Sequence, residues 1–253
     1  MKEAINWSPE KDIHTKSGEI EVHNKIYHHK HNAKDFESKQ KRIQILTICE
    51  EHVKKQISGR VLDIGCGNGY ASIHVSKNRD VDIVHSMECN QSAVDLIKDN
   101  YNNSEIEKDK YEVILGSFNQ IPNKDYYDFI ISLGVMHHSS NLLVTTKELY
   151  SSLSPGGYVF AHEPTMDDFT PNSVYINKED QYKSVQNIVR WKESERDDHF
   201  FRDCEWITAF HHSGFDIVKY QLETTNERDI KNAIIVLKKP EKEINKIPHT
   251  WIK

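Results

Sequence analysis

Apolar and polar positions along this chain switch repeatedly between two periods. Over residues 36–57, Phe36, Ile43, Leu46, Ile48 and Val53 recur at helical spacing, and the segment stops near Ser58 and Gly59. Val61, Leu62 and Ile64 then make a short apolar strand that glycines break, and a helix resumes over 70–78. The pattern continues as a strand at about 81–87, a helix at about 91–101, and strands at 111–115 and 128–133. A helix at about 142–153 and, after Pro155-Gly156-Gly157, a fifth strand at 158–163 complete the alternation. Short apolar strands separated by helices predict a parallel sheet covered on both faces.

The alternation fails in two places. Residues 1–35 are polar and weakly periodic and read as an arm or lid. Residues 164–200 are charged, carry Phe169, Tyr175, Tyr182, Trp191 and Phe200, and are too long for an ordinary connection. An inserted cap facing a ligand is the favoured reading, with a surface elaboration as the alternative. A helix at 203–212 ends at Gly214, and strands follow at 215–223 and 231–239. Their link, TTNERDI, is too short for a crossover helix, so this last pair is expected to be antiparallel. The expected organisation is an N-terminal arm and helix over 1–57 and one domain over 58–253, with the insert at about 164–200.

Composition narrows the setting. At 37% hydrophobic and 28% charged residues, the 253-residue chain reads as globular, with no apolar run near the ~20 residues that span a bilayer. The N-terminus lacks an apolar signal segment, so a cytoplasmic protein without membrane insertion is expected. A net charge of -6 argues against a nucleic-acid partner. Cys49, Cys66, Cys89 and Cys204 form no CxxC pair, which disfavours disulfides and structural zinc. His23, His28, His29 and His31 cluster near the N-terminus, where a solvated or lid-forming segment is favoured over a metal site, and no metal is expected.

The candidate chemistry centres on Gly65, Gly67 and Gly69, which stand between the first strand and its helix. Glycine permits a tight turn and close approach of a ligand, and the helix start behind it offers unpaired N–H groups. The dinucleotide spacing G-x-G-x-x-G would need glycine at Tyr70, so that motif is absent. Asp63 precedes the glycines, and Glu88 closes the second strand, from where a carboxylate can accept both ribose hydroxyls of an adenosine group. A plain structural turn and an exposed strand-end carboxylate are the alternatives.

With these residues in place, the chain resembles class I S-adenosylmethionine-dependent methyltransferases, especially the group acting on small molecules. VLDIGCGNGY, HSMECNQSAVDLIKDN, LGSFNQIP, DFIISLGVMHHSSN and LSPGGYVF carry the likeness across residues 60–163. The resemblance implies an α/β fold, a Rossmann-like seven-stranded mixed sheet with a C-terminal antiparallel hairpin, plus an N-terminal helical lid and an insert after strand 5. It implies S-adenosylmethionine as cofactor and S-adenosylhomocysteine as product. Its implied cofactor contacts are Asp63, the loop residues Gly65, Cys66, Gly67, Asn68 and Gly69, and Glu88 with Cys89. Ser117 stands where the family often has Asp, Phe118 offers the base an apolar face, Leu133 and Gly134 line the far side, and Tyr27 could close over it.

The methyl donor is already electrophilic, so the protein has mainly to align an acceptor, with a base where the acceptor carries a proton. His137, His138, His162 and Glu163 compete for that role, and strand alternation puts His162 and Glu163 on opposite faces; a mechanism without a strong base is also open. Arg190, Arg196 and Arg202 read as surface-paired with neighbours such as Glu193, Glu195 and Asp197, or as holding an anionic acceptor. The expected acceptor is a small molecule, with oxygen ahead of nitrogen or carbon. SLGVMHH replaces the N/D-P-P-Y/F/W signature of amino-methylating relatives. A noncatalytic cofactor-binding module and a protein methyltransferase remain as alternatives, and an NAD-dependent oxidoreductase is disfavoured by the glycine spacing.

Overall fold

The computed structural model describes residues 4–7, 34–139, 141–166, 168, 201–223 and 230–241. A two-residue strand β1 (Ile5–Asn6) stands apart from helix α1 (Lys34–Val53). There follow β2 (Gly59–Ile64), α2 (Tyr70–Ser76), β3 (Val81–Glu88), α3 (Gln91–Asn102), β4 (Tyr111–Leu115) and β5 (Tyr127–Leu133). A 3-10 turn at Met136–His138 leads to α4 (Leu142–Ser152) and β6 (Leu153–Met166). Helix α5 (Asp203–Ser213) and strands β7 (Asp216–Leu222) and β8 (Ile230–Lys238) complete the order.

All the described strands join one sheet in the order β1-β4-β3-β2-β5-β6-β8-β7. Pairings from β4 through β3, β2, β5 and β6 are parallel, while β8 is antiparallel to both β6 and β7. The seven predicted strands and the antiparallel hairpin are therefore present. The N-terminal segment adds an eighth strand, because Ile5 and Asn6 pair in parallel with Ile114 and Leu115. Strand β6 also differs from the prediction: it runs to Met166, three residues into the expected insert, since Pro164, Thr165 and Met166 pair with Asn232, Lys231 and Ile230. Helix α1 stops at Val53, short of the predicted 57, where Lys54 turns left-handed at φ 54.

Successive residues of each strand feed opposite layers. Leu62, Ile130, Ala161 and Ile235 pack with Leu149 of α4 and Trp206 and Phe210 of α5. Val61, Phe129, Phe160 and Val236 pack with Ile45, Leu46 and Cys49 of α1 and with Ala71 and Val75 of α2. Side chains set the helix limits: Asn90 accepts from the Ser92 and Ala93 amides at the start of α3, and Asn141 accepts from the Val144 amide at the start of α4. Glu205 accepts from the Arg202 amide at 2.7 Å at the start of α5.

Strand order reverses at β2: β3 and β4 lie on one side, β5 and β6 on the other. A crevice outside the carboxyl ends of the strands is where this topology binds ligands, and the glycines follow β2 directly into it.

Candidate cofactor and active site

The turn after β2 is built from glycines with φ 53 at Gly65, 57 at Gly67 and 74 at Gly69, all in the left-handed region that other residues adopt at a cost. Neighbouring elements hold it. The Cys66 amide donates to the Met87 carbonyl at 3.1 Å, and Asn100 Nδ2 of α3 donates to the Asn68 carbonyl at 2.8 Å. The Cys66 side chain is buried among Val94, Ile97 and Tyr101. Burial pushes its thiol well above the usual range, so it serves as a compact apolar filler of the turn.

Two carboxylates flank the turn. Glu88 ends β3 and is buried, and its Oε2 accepts from the Gly67 amide at 3.1 Å while Oε1 accepts from the Cys89 amide at 3.0 Å. Burial raises its pKa, and the Gly67 and Cys89 hydrogen bonds and the charge of His138 oppose that. Cys89 Sγ also donates to Glu88 Oε1 at 3.5 Å; a carboxylate has about four lone-pair sites, so these contacts leave room for a further hydroxyl donor. Asp63 in β2 accepts from Ser72 Oγ of α2 at 2.5 Å. Burial pushes Asp63 up to about 6 against the Ser72 hydrogen bond and the charge of Arg42 on α1. This pairing holds the start of α2 against the strand end. The side chains thus fit an adenosyl ligand: a left-handed glycine turn, a buried carboxylate bonded to it, and a second carboxylate behind.

On the far side of Glu88, the Gly116 amide donates to the Glu88 carbonyl at 3.0 Å, which sets Ser117 and Phe118 beside the strand end. Ser117 is buried and its Oγ accepts from the Asn119 amide at 3.2 Å, while half-buried Phe118 packs on the core. The other wall is the turn after β5. Leu133 is buried, and Gly134 is left-handed at φ 74 with its amide donating to the His162 carbonyl at 2.8 Å.

Glu163 organises this second turn. Its fully buried carboxylate accepts from Ser132 Oγ at 2.8 Å, from the amides of Val135, Met136 and His137, and pairs with His137 Nδ1 at 2.9 Å. Burial alone would raise its pKa. The hydrogen bond and charge of His137, with the amides of Val135 and Met136, outweigh burial and hold the carboxyl below its usual range. The His137 and His138 rings lie 4.0 Å apart between centroids.

His162, the preceding residue, faces the α1 layer. Its Nε2 lies 3.1 Å from Glu223 Oε2, which also accepts from Lys41 Nζ of α1 at 3.2 Å. Burial lowers the His162 pKa, and Glu223 opposes that. The expected alternation thus separates the two residues into different networks. Of the other candidates, Arg202 donates through Nη1 to the Asp168 carbonyl at 2.9 Å. Tyr27, the N-terminal histidines, Arg190, Arg196 and the aromatics from Phe169 to Phe200 lie outside the described residues. Sequence reasoning missed Ser72, Ser132, Arg42 and Glu223. Only Ser72 carried a signal, a hydroxyl in the first turn of the helix behind the glycines; the others depend on how distant elements meet.

Among the described residues, no helix is long and apolar enough to cross a membrane. A family model described as a methyltransferase domain matches residues 25–220. The chain is 28% identical over 130 residues to a tRNA U34 carboxymethyltransferase of Campylobacter fetus subsp. fetus, covering 51% of this chain and 44% of that protein. It is 27% identical over 97 residues to a malonyl-[acyl-carrier protein] O-methyltransferase of Priestia megaterium, covering 38% of this chain and 34% of that one. The chain therefore spans less than half the length of these curated relatives. Among solved structures, a Galdieria sulphuraria protein described as a sarcosine dimethylglycine methyltransferase superposes with a TM-score of 0.63 at 15% identity, over 82% of this chain and 87% of that one. That likeness speaks to the fold, while the family match covers most of the chain. The chain belongs to the methyltransferase domain family.

Proposed function

We propose that this protein transfers a methyl group from S-adenosylmethionine to an oxygen of a small-molecule acceptor and releases S-adenosylhomocysteine. The observation that carries the reading is the bond between the Gly67 amide and the buried Glu88 carboxylate at 3.1 Å, at the strand-order reversal. The bound cofactor supplies a methyl group on a sulfonium, which makes that carbon electrophilic. The protein's share is binding and alignment, which can contribute several kcal/mol. Glu88 accepts the ribose hydroxyls, and Asp63 keeps the turn beneath the amino-acid part. The loop residues Gly65, Cys66, Gly67, Asn68 and Gly69 and, beside Glu88, Cys89 complete that side. Ser117 and Phe118 flank the base, and Leu133 and Gly134 form the opposite wall. Of the candidate bases, His137 and His138 are assigned to the acceptor rim, while Glu163 is buried beneath their turn and His162 pairs with Glu223 on the α1 side.

Calorimetry with S-adenosylmethionine and S-adenosylhomocysteine tests the binding half. Replacing Glu88 by Ala removes a charge-assisted acceptor worth about 1.5–3 kcal/mol, so affinity should fall at least ~10-fold. Unchanged affinity in Glu88→Ala would remove the assignment. A thermal shift with NAD but none with the methyl donor would remove the cofactor. A second reading has one observation in its favour: 130 residues align with a protein that acts on tRNA U34. The net charge of -6 weighs against a polyanionic acceptor. Incubating labelled methyl donor with bulk tRNA distinguishes the two, because label in nucleosides would favour the tRNA reading.

A further inference from the structure

The turn after β4 carries Ser117 and Phe118, and it is held from three sides. From β3, the Glu88 carbonyl accepts from the Gly116 amide at 3.0 Å. From α4, Thr145 Oγ1 donates to Asn119 Oδ1. The third support comes from the N-terminal segment. The Trp7 amide donates to the carbonyl of Leu115, the last residue of β4, at 2.7 Å. Strand β4 lies between β1 and β3, so Leu115 and Gly116 are gripped from opposite sides. The Trp7 side chain then packs on Gly116 itself. A Cβ built there would stand 3.1 Å from Trp7 Cβ, 3.3 Å from Met87 Sδ and 3.4 Å from Ile114 Cγ2. Glycine at this position is what lets Trp7 and the core close on the turn together.

Trp7 has a fixed platform of its own. Its ring meets the His85 ring of β3 edge to face at 77°. Buried His85 has Nε2 3.3 Å from Glu112 Oε2 and Nδ1 2.7 Å from the Tyr127 hydroxyl. That hydroxyl accepts from Asn123 Nδ2 at 3.1 Å and gives its own proton to Nδ1. Burial lowers the His85 pKa against the charge of Glu112, so the ring is neutral and tied at both nitrogens. Trp7 and Phe118 also pack against the same core layer.

We propose that Trp7 is a positioning residue for recognition of the adenine base: it braces the 116–118 turn against β3 and so fixes the place of Ser117 and Phe118. The inference rests on the S-adenosylmethionine reading above and deepens it, by naming what sets selectivity for the base. Hydrogen bonds to a base edge weaken steeply away from their preferred distance and angle. A site built for one edge rejects another, because its own polar groups are then left unpaired. Both effects need a turn that cannot tilt. The bond to Glu88 holds it on the β3 side, and Trp7 supplies the stop on the β1 side.

Calorimetry with two ligands tests this. S-inosylhomocysteine differs from S-adenosylhomocysteine only in the base, where a carbonyl replaces the amino group and the neighbouring ring nitrogen gains a proton. Wild-type protein should prefer the adenine ligand by ~10-fold or more, the worth of one well-made polar contact. Trp7→Ala keeps the amide that bonds Leu115 and removes the ring. The preference should then fall to about threefold or less, with affinity for S-inosylhomocysteine within about twofold of wild type. Trp7→Phe, which puts a ring back on Gly116 and His85, should recover most of the preference. A residue that only supported the fold would weaken both ligands alike, so an equal loss in Trp7→Ala overturns the proposal. An undiminished preference in Trp7→Ala, or a wild-type protein that does not favour adenine, would overturn it as well. Should Trp7→Ala not fold, Trp7→Leu keeps an apolar cover without the ring and is judged by the same ratio. Wild-type protein that binds neither ligand would instead mark failure of the underlying cofactor reading.

Discussion

Val135 occupies the space that a side chain at Gly65 would need: a Cβ built there lies 2.5 Å from Val135 Cγ1 and 2.7 Å from Cγ2. The turn after β2 and the turn after β5 are thus fitted to each other across the crevice. Gly65→Ala should lower the melting temperature by several degrees, since a left-handed alanine costs about 1–2 kcal/mol before any clash. It should also weaken binding of the methyl donor, measured by calorimetry. Adding Val135→Ala should recover part of both losses, because it removes the two methyl groups and leaves the Cβ contact at 3.2 Å and the backbone strain.

Asp63 carries a folded-state pKa of about 6. The unfolded value is about 3.9, so the native state holds its proton more tightly. Its ionisation therefore costs stability as pH rises from about 4 to 6, and the full cost is present at pH 7. Asp63→Asn should stabilise the protein at pH 7.5 by on the order of 2 kcal/mol, since the raised value already includes the opposing Arg42 charge. The gain should vanish below pH ~4. Urea unfolding at the two pH values measures the difference. A variant equally stabilised at both would show that desolvation of the carboxylate is not the cause. The same substitution should weaken binding of the methyl donor, which would make Asp63 a case of stability given up for a site.

Lys239 lies just past β8, largely buried, with Nζ donating to Asp125 Oδ1 at 2.6 Å and to the carbonyls of Tyr150 and Leu153 at 3.0 and 2.8 Å. It closes the end of α4 and the entry to β6. Lys239→Met keeps the stem but leaves two carbonyls without that donor, so it should cost about 2–4 kcal/mol. Equilibrium unfolding reads the loss. Affinity for the methyl donor should hold, since this end of the sheet is opposite the glycine turn.

Much of this architecture was legible because strand and helix periods are local. The run from Tyr111 to Leu115 could be bounded to the residue, and the short link before β8 forced its antiparallel direction. The glycines and Glu88 were legible for a different reason: their chemistry is tied to fixed places after one strand and at the end of the next. What could not be read was pairing between distant elements. Nothing in the sequence says that Glu163 turns toward the end of β5 while His162 turns toward α1 and Glu223, although alternation foretold that they would part. Strand β1 was hidden because two residues carry no period, and β6 outran its predicted end because partners on β8 extend it.

That two-residue strand has a consequence for handling the protein. The Trp7 amide donates to the Leu115 carbonyl at 2.7 Å, and the Trp7 ring meets His85 edge-on at 5.9 Å, so residues 5–7 shield the outer margin of β4. A version trimmed of its first seven residues would offer a bare row of amides and carbonyls to any other copy. It should cluster at rising concentration, as light scattering would show, while the untrimmed chain stays dispersed.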